Sequence, residues 1–192
     1  MFESTGMAEC VRGHRHPAYR RAACQDVPMR FAVTQAYPVS RDEVLEMYTG
    51  TEMWGELSGF TKVSVPEVVD RTKKGDLVTV RLRYRFIAPL PTAATAVVNR
   101  DKLVWIEETV TDLSAGTATV DFQPENYASK LAASAAIRYE QLDDAASRTV
   151  QGDLRVKVLF VGGQVEKAIT SGLSDHLAQE ERAVLDTLKP AG

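Results

Sequence analysis

The sequence predicts an α+β domain: a curved antiparallel sheet closing over one long C-terminal helix, with two short helices after the first strand. Three observations predict it. Two-residue alternation of apolar and polar side chains recurs between Met29 and Phe160, the pattern of strands with one buried face. A capping box, Ser40-Arg41-Asp42-Glu43, opens a helical stretch directly behind the first strand. After Gly162-Gly163 the apolar spacing changes to three, four and seven and continues to Leu188 without a proline.

Composition sets the limits. At 192 residues the chain suits one domain that buries about two thirds of its unfolded surface. Hydrophobic residues at 44% and charged residues at 26% are those of a globular protein. A net charge of −3 supplies no basic face, so no nucleic-acid partner is predicted. No apolar run approaches the ~18 residues of a bilayer span, which predicts no stable membrane insertion. The N-terminal segment lacks the apolar centre of a signal peptide, and a cytoplasmic location is predicted. Residues 1–28 mix Gly, Pro, Arg, His and Ala without periodicity and are predicted to form a disordered N-terminal extension to a single domain spanning residues 29–190. Both cysteines, Cys10 and Cys24, fall in that extension, so no disulfide framework holds the domain. With His14 and His16 they have the side chains of zinc ligands, but their spacing matches no compact zinc module. Neither a metal nor a cofactor is predicted.

The elements follow in order. Phe31 to Tyr37 alternates and reads as a first strand, ended by Pro38. Val44, Leu45 and Tyr48 recur at helical spacing behind the capping box, and Gly50 stops that helix. Glu52 to Ser58, with Trp54 and Leu57, reads as a second short helix closed by Gly59. Val63 and Val65, then Val68-Val69, begin the next strand. Lys73-Lys74-Gly75-Asp76 is a hairpin turn, because glycine accepts positive φ there. Val78, Val80, Leu82, Tyr84 and Phe86 then share one face, with Thr79, Arg81, Arg83 and Arg85 on the other. Burial of each large apolar side chain is worth roughly 1.5–3 kcal/mol, which fixes that register. Thr92 to Val98 fits a short helix or a strand equally. Leu103 to Asp112 is a further strand with Leu103, Trp105 and Glu107 on one face, and Ser114-Ala115-Gly116 turns it into Thr117 to Gln123. Ala128 to Leu142 is alanine-rich and helical by propensity. Yet Leu131, Ala133, Ala135, Ile137 and Tyr139 alternate with polar or small residues, and the following strand, Arg148 to Phe160, needs a neighbour, which favours a strand. The last helix carries Val165, Ile169, Leu173, Leu177, Val184 and Leu188 in one stripe. Roughly 25 residues at 1.5 Å each give about 37 Å, against about 33 Å for a ten-residue strand. One helix therefore reaches across the whole sheet.

Met29-Arg30-Phe31 at the start, Val161-Gly162-Gly163-Gln164-Val165-Glu166 where the last helix begins, and Glu180-Glu181 towards its end resemble an uncharacterised bacterial family of the START-like superfamily, also called SRPBCC or the polyketide cyclase and lipid-transfer superfamily. The resemblance covers Met29 to about Leu188. Leu159-Phe160 stand where that family carries a proline, a departure at the turn before Val161. The resemblance implies a helix-grip fold with a cavity between sheet and helix; it implies no reaction and brings no catalytic residue with it.

The predicted partner is accordingly a hydrophobic small molecule or lipid, bound, carried or sensed in that cavity. Its predicted walls are Val80, Leu82, Tyr84, Phe86, Trp105, Glu107, Tyr139, Leu154, Ile169, Gly172, Leu173 and His176. Ala133, Ala135, Gly152 and Gly172 are small enough to leave space where helix and sheet meet, although a mid-helix glycine equally marks close packing. His176 could orient a ligand or act as a general base, but no partner carboxylate is evident, and a partly exposed helical histidine is the plainer reading. Glu107, in line with Leu103 and Trp105, needs a partner or a raised pKa if it faces inward. The Arg81, Arg83 and Arg85 row reads as a solvated face paired with glutamates. A small cyclase or aromatase-type enzyme is the alternative, requiring polar groups to converge in the cavity. A chaperone-like interaction module is a third, requiring a filled core and an exposed apolar patch. Apolar stripes outnumber convergent polar residues, and no catalytic motif is visible, which favours a binding protein over an enzyme.

Overall fold

The computed structural model describes residues 29–90, 95, 99–157 and 162–188, with the side chains of the last helix described from residue 169 onward. Apart from residue 95, the segment 92–98 lies outside the described residues, as do the zinc-ligand types at Cys10, His14, His16 and Cys24. So do positions 158–160 of the strand predicted to run to Phe160.

Strand β1 (Met29–Tyr37) leads into helices α1 (Arg41–Thr49) and α2 (Glu52–Glu56). Strands β2 (Glu67–Lys74), β3 (Leu77–Arg85), β4 (Val104–Asp112), β5 (Thr117–Pro124), β6 (Leu131–Leu142) and β7 (Ala145–Val156) follow, and helix α3 (Gly162–Thr187) ends the fold. The strands form one seven-stranded sheet in the order β1-β7-β6-β5-β4-β3-β2, every neighbouring pair antiparallel. This is the helix-grip arrangement expected from the sequence.

Local chemistry accounts for each junction. The Ser40 hydroxyl accepts from the Glu43 amide and the Glu43 carboxylate accepts from the Ser40 amide, so two orphan donors of α1 are satisfied reciprocally. Gly75 and Gly116 take φ of 61° and 63° in the β2–β3 and β4–β5 turns, a conformation that disfavours a Cβ. The alanine-rich β6 is a strand because β5 and β7 pair with it on both sides, and the ladder outweighs helix propensity. Its buried and exposed residues alternate, with Ile137 and Tyr139 inward. On the convex side Arg81 pairs with Glu108 at 3.3 Å and Arg83 with Glu125 at 2.7 Å.

Val78, Val80, Leu82 and Tyr84 of β3 are buried, together with Tyr37, Val44, Tyr48, Trp54, Ile137, Val150 and Val184. Helix α3 docks chiefly on β1 and β7, so the sheet is covered most closely along one side of its concave face.

Two glycines predicted to leave space differ in their surroundings. Gly152 leaves no open space, because Phe31, its cross-strand partner, lays its ring there: a Cβ on Gly152 would lie 2.5 Å from Phe31 Cζ and 2.7 Å from the Ser134 carbonyl oxygen. Gly172 is the opposite case. A Cβ there would meet only Lys62 Cδ among the described atoms, at an ordinary 3.6 Å. Gly152→Ala should therefore lower stability by about 1–3 kcal/mol through overpacking, whereas Gly172→Ala should raise it by about 0.5–1 kcal/mol through helix propensity. Urea midpoints of the two variants check both signs.

Candidate functional site

The concave face carries a polar cluster that sets the electrostatics of the interior. Gln35 sits on β1 in the same alternation as Phe31, Val33 and Tyr37, and Arg148 sits on β7 in line with Val150. Glu180 comes down from α3 between Leu177 and Val184. All three are buried. Arg148 Nη1 donates to Glu180 Oε1 at 2.9 Å and to Gln35 Oε1, while the guanidinium carbon lies 4.1 Å from the centre of the Tyr48 ring. Glu180 Oε1 also accepts from the Tyr48 hydroxyl at 3.0 Å and from Gln35 Nε2 at 3.4 Å. Gln35 Nε2 donates further to the Leu177 carbonyl at 2.7 Å, and the Tyr37 and Tyr48 hydroxyls are 2.7 Å apart. Burial opposes the charge on Arg148, but the surrounding Tyr48, Glu180, Tyr139 and Tyr37 hold its pKa above the ordinary guanidinium value. Burial likewise pushes Tyr37, Tyr48, Tyr84 and Tyr139 upward, so they stay neutral phenols. Arg148 and Glu180 thus form a committed ion pair, joining α3 to β1 and β7.

A second group differs because its hydrogen-bonding capacity is unspent. On β4, Trp105 and Glu107 stand opposite Tyr84 and Leu82 of β3, hence on the concave face. Trp105 stacks on Tyr84 with ring centres 5.6 Å apart and planes 12° from parallel. His176, on α3, meets the Tyr84 ring edge-on at 5.7 Å and the Phe60 ring at 4.9 Å. Its Nε2 lies 4.0 Å from Glu180 Oε2, a carboxylate partner that the i,i+4 spacing on the last helix offers and the sequence reading overlooked. Trp105 Nε1 and His176 Nδ1 are buried and have no hydrogen-bond partner among the described residues. Glu107 makes no hydrogen bond or ion pair there either.

Protonation follows from these surroundings. Burial drives the Glu107 carboxyl up to about 7, the nearby Glu180 charge adds to the rise, and Arg148 opposes it. Burial lowers the pKa of His176; Glu180 raises it in opposition and Arg148 adds to the lowering, leaving the imidazole neutral at pH 7.

Trp105 and Glu107 nevertheless keep part of their surface accessible, as does Phe122, the cross-strand neighbour of Glu107 on β5, and Ala133 and Ala135 on β6. This part of the concave face is therefore less closely covered than the Tyr37, Val150 and Val184 side of the core.

Of the predicted walls, Val80, Leu82, Tyr84, Tyr139 and Leu154 are buried. Phe86, Trp105, Glu107, Ile169, Gly172, Leu173 and His176 are half-buried. Tyr84, Trp105 and His176 come together through their rings; Tyr139 stands instead beside Arg148, in the committed cluster. Gly172 faces the Lys62 stem on the flank of α3. Arg148, Gln35 and Glu180 were not among the predicted site residues.

Two surface depressions lie elsewhere. One, of about 690 Å³, opens between α1, α2 and β2, where Arg41 is paired with Asp42 and Arg71 donates to the Thr49 carbonyl. The other, of about 770 Å³, lies around Gly152 and is lined by Arg30, Ala32, Ser134, Ala136 and Asp153. Neither includes a predicted wall residue. Among the described residues no three His, Cys, Asp or Glu side chains are grouped as metal ligands, and no helix is long and apolar enough to cross a membrane.

Solved structures share this fold. TTHA0849 from Thermus thermophilus aligns with a TM-score of 0.58 at 16% identity, covering 84% of this chain and 100% of that one. The Zhui aromatase/cyclase from Streptomyces sp. R1128 aligns with 0.58 at 13%, covering 85% and 98%. A point mutant of norcoclaurine synthase from Thalictrum flavum, in complex with a transition state analogue, aligns with 0.59 at 16%, covering 84% and 94%. At such identities the likeness is one of fold. Comparison with curated proteins finds no match. The family model that matches residues 32–188 is described as a protein of unknown function, DUF2505, and on that span the chain belongs to the DUF2505 family.

Proposed function

We propose that the protein binds a small, largely apolar molecule or lipid carrying a polar group, in the hollow between the concave sheet and α3. The observation that carries this reading is the unspent trio of Trp105 Nε1, His176 Nδ1 and the Glu107 carboxyl beside apolar walls: the two nitrogens are buried without partners, and the Trp105 and Glu107 residues around them keep part of their surface accessible. Buried polar atoms without partners cost about 1–3 kcal/mol each, and a ligand that supplies the missing partners recovers that free energy on binding. Tyr84, Leu82, Phe86, Ile169 and Leu173 offer apolar contact around them, the usual balance of a small-molecule site. An aromatase/cyclase and a norcoclaurine synthase holding a transition state analogue share the fold, which is consistent with a pocket in this place.

Native mass spectrometry of the purified protein, before and after organic extraction, tests the reading. A mass increment that extraction removes, and that Trp105→Ala weakens, is the expected result. An unchanged mass, together with no shift in tryptophan fluorescence on titration with hydrophobic probes, would overturn it.

A second reading, a small enzyme of cyclase or aromatase type, is favoured by one observation. A carboxyl with a pKa of about 7 can give and take a proton at neutral pH, as a general acid–base requires. Release of the extracted molecule unchanged after prolonged incubation supports carriage; its conversion supports catalysis.

A further inference from the structure

The charges around the hollow say more about the ligand than its apolar walls do. Arg148 Nη1 donates to Glu180 and Gln35, which takes up its charge, and Tyr48 covers its face, while its Nε is buried with no hydrogen-bond partner among the described residues. His176 has Glu180 as its nearest carboxylate and is neutral. Glu107 therefore faces the interior with no cation of the described protein in contact. The Glu107 carboxyl is felt by Tyr84, Tyr139, Glu180 and Arg148, and only the last of these is positive. A ligand with a carboxylate or phosphate would add negative charge beside Glu107 and Glu180, with the Arg148 charge already taken up by Glu180. A ligand with a positive charge would convert an unpaired buried carboxyl into an ion pair in a low-dielectric setting, where such pairs are strongest. The stacked Tyr84 and Trp105 rings present an aromatic wall next to that carboxyl, suited both to an apolar body and to a cation. The indole N–H of Trp105, lacking an acceptor, is suited to a ligand oxygen.

From this juxtaposition we infer that the ligand is a protonated amine on an aromatic or aliphatic body, its ammonium group paired with Glu107 and an oxygen acceptor placed at Trp105. The inference rests on the pocket reading above and adds to it the chemical class of what the pocket selects. Fatty acids and other anionic amphiphiles are selected against by the same charges.

Three probes of nearly equal shape test it: naphthylmethylamine, naphthalenemethanol and naphthoate, titrated calorimetrically into the full chain at neutral pH. The amine should bind about tenfold or more tighter than the alcohol, and the carboxylate weakest of the three. On Glu107→Gln the amine should fall to the affinity that the alcohol shows on that same variant. The wild-type protein gives an independent readout. Pairing with an ammonium lowers the Glu107 pKa from about 7, so amine binding at slightly acid pH should release a proton, seen as a dependence of the heat on the ionisation enthalpy of the buffer, while alcohol binding should release none. Equal or tighter binding of the alcohol or the carboxylate, or amine binding without proton release, overturns the inference and leaves the pocket reading standing. Binding of none of the three overturns both.

Discussion

Glu180→Leu is expected to cost about 3–5 kcal/mol of stability, because it leaves the buried Arg148 guanidinium without its counter-charge. The two side chains are only 6% and 5% exposed, so water cannot take over the lost contact. The reverse truncation, Arg148→Met, should cost less. Glu180 would keep the Tyr48 hydroxyl and the Gln35 amide as donors, and a carboxyl can take up a proton where a guanidinium cannot lose one. The double variant should recover most of the loss, since apolar replacement of a whole buried pair is often neutral. Urea titrations of the four proteins form a double-mutant cycle, with a constant m-value as the check that the fold is kept. A Glu180→Leu midpoint equal to wild type would mean that the pair does not hold α3 to the sheet. A loss of the expected size is a large part of the roughly 5–15 kcal/mol that a domain has in total, so neither partner can be lost alone without loosening the seat of α3 on the sheet.

That cluster is also where sequence reading stopped short. The sheet and the helix were legible because their signals are local: the alternation in β3, the capping box before α1, the long stripe of α3. Parity puts Gln35 on the same face as Phe31, Val33 and Tyr37, and Arg148 in line with Val150 and Leu154. What parity does not say is whether a polar residue on an apolar face has a partner. Gln35 and Arg148 are neighbours through the β1–β7 ladder across 113 residues, and Arg148 and Glu180 meet only when α3 has docked. One signal was present in the sequence. The α3 stripe steps by seven from Leu177 to Val184, and the position it passes over, Glu180, is the residue that points inward. Gly152 shows the same limit from the packing side, since the ring of Phe31 that fills it comes from the opposite end of the chain. Glu107, by contrast, was found by parity and needed the structure only to show that nothing pairs with it.

The stability of Glu107→Gln relative to wild type should therefore depend on pH, with a sign opposite to that of most carboxylates. The folded protein holds this carboxyl at a pKa of about 7, raised from 4.5 mainly by burial. Between those two values the native state keeps a proton that the unfolded chain has given up. Stability contributed by the group is thus present in full below the unfolded pKa, declines as pH rises through the interval, and is gone above the folded pKa. At 1.36 kcal/mol per pKa unit the shift corresponds to about 3 kcal/mol, and water reaching the accessible side of Glu107 brings the expectation to roughly 2–3 kcal/mol. Glu43, Glu52 and Asp112, whose pKa values hydrogen bonds lower, act in the reverse direction. They are common to both proteins and cancel in the difference. Urea unfolding of wild type and Glu107→Gln from mildly acid to mildly basic pH should show the variant gaining on wild type up to neutrality and a constant gap beyond it. A gap independent of pH would mean that Glu107 is solvated like any surface carboxylate, with no unmet charge to offer a ligand. A gap of the expected form that closes when naphthylmethylamine is added would tie the destabilising carboxyl to its use: the free energy withheld from the empty fold is what a cation returns on binding.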